Sequence, residues 1–251
     1  MMPGLFNDIE LLNAGPKRFI DYKLPGADLK LWEGFFEKEE SDFYYRLFLE
    51  TMPWAQHRRK MYEKMVADPR LTAWFGPDGT NEWTPELMAI KEKVENACKI
   101  SFDSVLLNYY RDGNDSVAWH SDNLPSSGRH HAIASVTFGE TRLFKVRHKR
   151  DRFFRQIDIP LTHGSFLLMG ETMQLHYEHH VPKTSKQIAA RINLTFESIE
   201  EFEAGERSHW TFLVFYCSLC VSTFDARPCL LVICVFQPER ISVKRFNLLV
   251  P

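Results

Sequence analysis

The 251-residue sequence predicts a mainly β protein with flanking helices, an α+β chain built on a double-stranded β-helix (jelly roll). Two observations carry that reading. From about residue 101 onward, eight short segments with strand character recur, each separated from the next by turn signals. Ahead of them lie two stretches with helical spacing, suited to cover one outer face of a sheet. The length suffices for one sizeable domain with an appendage.

Residues 1–34 read as irregular, with Pro16, Pro25 and several glycines as breakers. Glu37 to Glu50 reads as a helix whose buried face is Phe43, Tyr44, Leu47 and Phe48. Ala55–Val66 is basic and polar. Pro69–Phe75 reads as a strand that ends at Gly76-Pro77-Asp78-Gly79. Thr84-Pro85-Glu86 supplies a hydroxyl cap, a first-turn proline and an early carboxylate, so a second helix starts there. Leu87, Ile90, Val94 and Ala97 form its apolar stripe. The eight strands are expected near 103–110, 116–121, 131–138, 141–147, 154–159, 165–169, 174–181 and 189–196.

The chain changes character near residue 207. Trp210–Thr223 and Cys229–Phe236 are apolar runs without clear periodicity, with Asp225, Arg227 and Pro228 between them. Each is shorter than a membrane span and gives no strong sign of one. The expected division is therefore an irregular segment at 1–34, a main domain at 35–206 and an atypical apolar tail at 207–251.

A formal net charge of −2 excludes a general attraction to nucleic acid or anionic membrane, so any such contact must be local. The N-terminus lacks the basic and apolar regions of a signal peptide. The five cysteines are odd in number and sit mostly in the tail, so no disulfide framework is expected. Cys217-x-x-Cys220 lacks the second pair that a zinc site needs. An intracellular compartment, cytoplasmic or nuclear, fits. Nothing in the sequence fixes an oligomeric state.

His120-Ser121-Asp122 is the most informative segment. In a strand, side chains alternate, so His120 and Asp122 share a face and can supply two neighbouring ligands to one ion. Two imidazoles and one carboxylate leave half an octahedron open, an arrangement suited to Fe(II) that must also bind a co-substrate and O2. The third ligand must come from another strand, and His163, His176, His179 and His180 are candidates. Strand parity groups His176 with His180 and puts His179 on the opposite face.

Four motifs occur in order: Asn108-x-Tyr110, His120-x-Asp122, Gln174-Leu175-His176-Tyr177-Glu178-His179-His180-Val181-Pro182 and Arg191-Ile192-Asn193-Leu194-Thr195-Phe196. Pro69–Trp74, Ile133–Gly139 and Thr162–Met169 accompany them. Over roughly residues 35–197 the chain resembles the AlkB family of Fe(II)/2-oxoglutarate dioxygenases, most closely its nucleic-acid dealkylase branch. The resemblance implies that His120, Asp122 and His179 hold the iron and form the catalytic centre. It assigns Arg191 to the distal carboxylate of 2-oxoglutarate, where a guanidinium fork gives paired, charge-assisted hydrogen bonds. It places Asn108, Tyr110 and Asn193 around the same ligand as neutral partners. It implies oxidative removal of N-alkyl groups from damaged bases in DNA or RNA, with O2 as oxidant. Such a base must leave its stack or arrive in a single strand.

Departures from the family pattern bear on substrate and turnover. The last motif ends in Glu197, where the family carries a second arginine. An inward carboxylate there would oppose an anionic co-substrate. Asn123 and Leu124 replace acidic residues that usually follow the metal aspartate. The loop Gly79–Trp83 is short, and its neighbours Trp74, Phe75 and Trp83 read as core or helix packing rather than base stacking. Arg142, Lys145, Arg147, His148, Lys149, Arg150, Arg152 and Arg155 form a basic run that reads equally as a phosphate grip or a solvated hairpin. Arg58, Arg59, Lys60 and Tyr62 form a second patch, where related enzymes place a substrate-probing hairpin. Two other readings stand beside repair: the same chemistry on a protein or lipid, or a catalytically impaired jelly-roll binding protein.

Overall fold

The structure, a computed structural model, describes residues 12, 15–61, 63–77, 80–122, 132–151 and 153–198, together with the strands at 231–237 and 240–246. The chain divides into two compact units, Met1–Ile199 and Glu200–Pro251.

The first unit opens with a hairpin, β1 (Arg18–Leu24) and β2 (Ala27–Glu33). The irregular reading of this segment is corrected here. Pro25-Gly26 is the turn of the hairpin rather than a breaker, with Gly26 at φ 70, a region glycine enters without strain. Period-two alternation then buries Leu29, Leu31 and Glu33. Helix α1 (Lys38–Thr51) buries Ser41, Tyr44, Tyr45 and Phe48. Phe43, expected on that face, is 53% exposed. The true stripe runs one residue further round, through Ser41 and Tyr45.

The basic stretch forms a separate two-stranded sheet of β3 (Arg58–Met61) and β4 (Lys64–Ala67). Next come β5 (Leu71–Phe75) and α2 (Pro85–Cys98). The expected cap is in place: the Leu87 backbone N–H donates to Thr84 Oγ1 at 3.3 Å. Leu87, Ile90 and Val94 are buried as expected, but Ala97 is exposed, and its neighbour Cys98 packs against the core instead.

All eight expected strands follow: β6 (Ser104–Tyr110), β7 (Val117–His120), β8 (Ile133–Gly139), β9 (Arg142–His148), β10 (Ile157–Leu161), β11 (Ser165–Met169), β12 (Tyr177–Val181) and β13 (Arg191–Glu197). The seventh starts later than expected because a helical turn, α3 (Met173–His176), takes its first residues. In the second unit, β14 (Leu231–Gln237) pairs with β15 (Arg240–Phe246). The apolar run 210–223, with its Cys-x-x-Cys, lies outside the described residues. Among the described residues no helix is long and apolar enough to cross a membrane.

Two sheets face each other. One has the order β1-β2-β11-β8-β13-β6-β5 and the other β10-β9-β12-β7. The eight strands divide four and four between them, the jelly-roll arrangement. Strand β13 shows how the sequence builds two cores at once. Ile192, Leu194 and Phe196 are fully buried and pack with α1 and α2 on the outer face of the larger sheet. Arg191, Asn193, Thr195 and Glu197 alternate with them and line a cavity shared with residues of the smaller sheet. A slip of one residue would drive four polar groups into the helix-side core. Each buried apolar side chain contributes about 1.5–3 kcal/mol against that slip.

Candidate metal centre and co-substrate pocket

His120 closes β7, and His179 stands opposite it in the antiparallel ladder of β12. Opposed residues in such a ladder present side chains to the same face. Their ring centroids are 4.4 Å apart. Asp122 follows two residues after His120. Its Oδ1 lies 3.4 Å from His120 Nε2, and its Oδ2 lies 3.5 Å from His179 Nε2. One ligand atom from each residue falls within 4.8 Å of the others.

Neighbouring groups orient the three side chains. His120 Nδ1 donates to the Ala118 carbonyl at 2.9 Å, which leaves Nε2 as the unprotonated nitrogen of the neutral ring. His179 packs against the Phe144 ring, with centroids 4.9 Å apart. The Asp122 backbone N–H donates to Gln174 Oε1 at 3.0 Å, so the turn before β12 holds the end of β7.

Electrostatics suit a cation. Burial lowers the His179 pKa to about 4, so its ring is neutral at neutral pH. Burial alone would lower His120 as well, but its hydrogen bond to Asp122 and that carboxylate's charge outweigh burial and raise it. Burial opposes the charge on Asp122, yet the two imidazoles hold its pKa below the usual carboxylate value. Asp122 Oδ2 and His179 Nδ1 are buried with no hydrogen-bond partner among the described residues. A convergent set of two imidazoles and one carboxylate, with a carboxylate oxygen left unsatisfied, fits a divalent transition metal such as Fe(II).

The three residues share a cavity of ≈ 320 Å³ with Asn108, Tyr110, Arg191 and Asn193. All seven residues singled out in the sequence are therefore brought together. Arg191 is 1% exposed. Its Nη2 donates to Thr137 Oγ1 at 2.9 Å and to Asn193 Oδ1 at 2.6 Å. Nε and Nη1 are buried without a partner among the described residues. Burial lowers its pKa to about 10, which still leaves a cation at neutral pH. A buried cation with two free donor nitrogens is costly unless an anion completes it. A carboxylate of 2-oxoglutarate has the matching shape and charge.

The neutral residues divide their work. Asn193 Oδ1 also accepts from Ser135 Oγ at 2.9 Å, and its Nδ2 donates to Thr195 Oγ1 at 3.0 Å. Its amide is thus committed to fixing the wall around Arg191. Asn108 Oδ1 accepts from Arg70 Nε at 2.8 Å. The Tyr110 ring lies 5.2 Å from the Arg191 guanidinium carbon. Glu197 lines the same cavity. Burial, then the charges of Asp122 and Asp103, push its carboxyl up to about 7.

The other histidines serve elsewhere. His180 stacks on Trp119 at 3.9 Å, and His176 lies parallel to His148 at 6.3 Å. His163 is buried between Asp42 and the Gly139 N–H. Sequence reasoning missed Thr137, Gln174 and Phe144 as members of the site. Thr137 and Gln174 lay inside quoted motifs, but the roles of all three depend on contacts between elements distant in sequence. Arg70 was visible only as part of Pro69-Arg70-Leu71.

The basic run is corrected in part. Arg142 is buried and donates to the carbonyls of Asp112, Asp115 and Pro182. Lys145 pairs with Asp158 and Arg147 with Glu178. Arg150 and Arg155 remain exposed. The second patch lies on the β3–β4 hairpin, with Tyr62 outside the described residues. Phe75 is buried and Trp83 packs against the helix-side core.

Residues 28–196 match the model of the 2OG-Fe(II) oxygenase superfamily. Alpha-ketoglutarate-dependent dioxygenase alkB homolog 3 of Bos taurus is 35% identical over 197 residues, covering 72% of this chain and 68% of that protein. The Homo sapiens form is 34% identical, covering 67% of this chain and 65% of that protein, so the chain spans about two thirds of these relatives. DNA oxidative demethylase ALKBH2 of Homo sapiens is 32% identical over 206 residues, covering 74% of this chain and 78% of that protein. The solved structure of OsALKBH1 shares the fold, with a TM-score of 0.53 at 17% identity, covering 70% of this chain and all of that one. The matched region runs through the strands that carry His120, His179 and Arg191, and the chain belongs to the AlkB family of dioxygenases that use Fe(II), 2-oxoglutarate and O2.

Proposed function

We propose that the chain is a nucleic-acid repair demethylase that oxidatively removes N-alkyl groups from damaged bases in DNA or RNA. One observation carries the reading: the His-Asp-His cluster and the buried cation Arg191, two of whose nitrogens have no hydrogen-bond partner among the described residues, face one cavity. The relatives named as alkB dioxygenases and DNA oxidative demethylases support the substrate class.

In this reading His120, Asp122 and His179 hold the metal, and Arg191 receives the distal carboxylate of 2-oxoglutarate. Iron loaded with 2-oxoglutarate and O2 supplies the oxidising power that hydroxylates the alkyl carbon. The chain's own residues set the geometry. Thr137 and Asn193 aim the guanidinium, so little ordering remains when the co-substrate binds. Asn108 and Tyr110 shape the wall beside it. Phe144 shields one face of His179 from water. A cytoplasmic or nuclear location fits this substrate.

The test is anaerobic loading with Fe(II) and 2-oxoglutarate, then O2 exposure with an N-methylated single-stranded oligonucleotide, followed by mass. Loss of one methyl group per formaldehyde and succinate released is expected, and Asp122→Asn abolishes it. Succinate release that no methylated nucleic acid stimulates would redirect the assignment to a protein or lipid substrate. Glu197 favours a further alternative, a jelly-roll binding protein impaired in turnover. It predicts metal binding with no succinate at all.

A further inference from the structure

The loop between β9 and β10 is not used by the site described above. Phe153 at its tip is 98% exposed, and Phe154 beside it is 39% exposed. An isolated exposed aromatic is ordinary. This one is held out by an ordered turn. The N–H groups of Arg150 and Asp151 both reach His148 Nδ1, at 3.2 and 2.8 Å, and the Phe153 N–H donates to Asp151 Oδ1 at 2.9 Å. Arg150 and Arg155 flank it, exposed and without an ion-pair partner among the described residues. Arg142, Lys145, Arg147 and Lys149 are bound to groups of the protein itself, which leaves Arg150 and Arg155, among the described residues, for a ligand.

The loop is also tied to the metal centre. Val146 is the ladder partner of His179, and β9 ends two residues further on, at His148, about 7 Å away at strand rise. Lys149 Nζ donates to the Gln174 carbonyl at 2.7 Å. The side chain of the same Gln174 holds the backbone of Asp122. One residue therefore anchors both the basic loop and a metal ligand.

We propose that this loop is a single-stranded nucleic-acid contact, in which Phe153 stacks on a base and Arg150 and Arg155 hold neighbouring phosphates. The proposal rests on the reading that nucleic acid is the substrate of the cavity. A fully exposed aromatic between two free guanidinium groups matches the π-face and phosphate spacing of an unpaired strand. It also supplies a stacking aromatic, which the short Gly79–Trp83 segment does not.

The test is fluorescence anisotropy of the full chain with an unmethylated single strand of about 16 nucleotides. Phe153→Ala is expected to weaken binding about tenfold, the effect of losing one stacked base. Phe153→Trp is expected to retain it. The pair Arg150→Ala and Arg155→Ala lowers affinity and flattens the salt dependence by about 1.4 in the logarithmic slope. Phe153→Ala binding as tightly as wild type overturns the proposal. So does Phe153-dependent binding to phosphatidylserine vesicles with no Phe153 effect on the oligonucleotide. The assay needs no turnover. A chain that binds through Phe153 and repairs nothing keeps the loop and sinks the repair reading. Repair with a KM that Phe153→Ala leaves unchanged sinks the loop alone.

Discussion

Arg191 and Asn193 sit two residues apart on β13, and the guanidinium Nη2 reaches the amide oxygen of Asn193 at 2.6 Å. Nε and Nη1 have no hydrogen-bond partner among the described residues. A strand that places a cation and its own positioning amide on one face sets up a binding group in advance of its ligand.

The first prediction follows from that cost. Arg191→Met removes a buried charge with incomplete hydrogen bonding and preserves much of the volume. Stability of the metal-free protein is expected to hold or rise, by up to about 1–4 kcal/mol in urea unfolding. Affinity for 2-oxoglutarate is expected to fall by at least about 100-fold, since two charge-assisted hydrogen bonds contribute about 1.5–3 kcal/mol each. Opposite signs for stability and binding separate a ligand group from a structural one. A variant that unfolds more readily and binds normally would mark Arg191 as structural.

The second prediction concerns protons at the metal cluster. Burial takes His179 down to about 4 from an ordinary 6.5, and Asp122 carries His120 upward against burial. For His179 the folded pKa lies below the unfolded one, so as pH falls from 6.5 toward 4 the unfolded chain takes up the proton first. Stability is therefore present above 6.5 and is lost on acidification, by up to about 3 kcal/mol. Metal binding must displace the His120 proton, so affinity rises with pH. Titration calorimetry with Co(II) in buffers of different ionisation enthalpy is expected to show proton release at about pH 6 and less at about pH 8. Equal proton release at both would show that His120 is no ligand.

How much of this was readable in the sequence depends on the distance over which each feature is determined. His120 and Asp122 were legible because residues two apart in extended chain share a face, although β7 itself ends at His120. The Thr84 cap was legible because it is a contact three residues long. The jelly roll followed from strand count and turn spacing. The β1–β2 hairpin was missed because Pro25-Gly26 marks a turn and a break in the same letters. The face of α1 shifted by one residue because an amphipathic stripe fixes orientation only to within a side chain. Strand parity separated His179 from its neighbours, but choosing it needed the resemblance. What makes it the ligand is its pairing with His120 across β7 and β12. Thr137 and Gln174 stood inside quoted motifs, but nothing local announced their roles, because each acts across more than fifty residues.

The third prediction isolates a local determinant from the site. Thr84→Ala deletes the acceptor for the Leu87 N–H and leaves the first turn of α2 uncapped. The expected cost is about 1 kcal/mol in urea unfolding. Because α2 packs on the outer face of the larger sheet, 2-oxoglutarate affinity is expected to stay unchanged. A fall in affinity without a fall in stability would couple that face to the cavity.

The fourth prediction concerns Glu197, which ends the strand that begins with Arg191 and lines the same cavity. Its carboxyl is raised to about 7, so it is largely neutral below that pH and anionic above it. Anionic 2-oxoglutarate then meets one more negative charge as pH rises. Affinity is expected to drop about tenfold between about pH 6 and about pH 8, the size of one unit-charge repulsion at an effective dielectric constant near 20 across a small cavity. His120, raised by its Asp122 partner, is a second titrating group of the cavity, so wild type alone does not assign the effect. Glu197→Gln keeps the shape and deletes the charge, and its difference from wild type cancels the His120 contribution. Glu197→Arg reverses the sign and is expected to bind 2-oxoglutarate more tightly than either. Tryptophan quenching on Mn(II)-loaded protein reads all three. If Glu197→Gln keeps the full pH dependence and Glu197→Arg gains nothing, the carboxylate does not act on the co-substrate. Its place on the cavity wall would then serve the substrate side of the pocket.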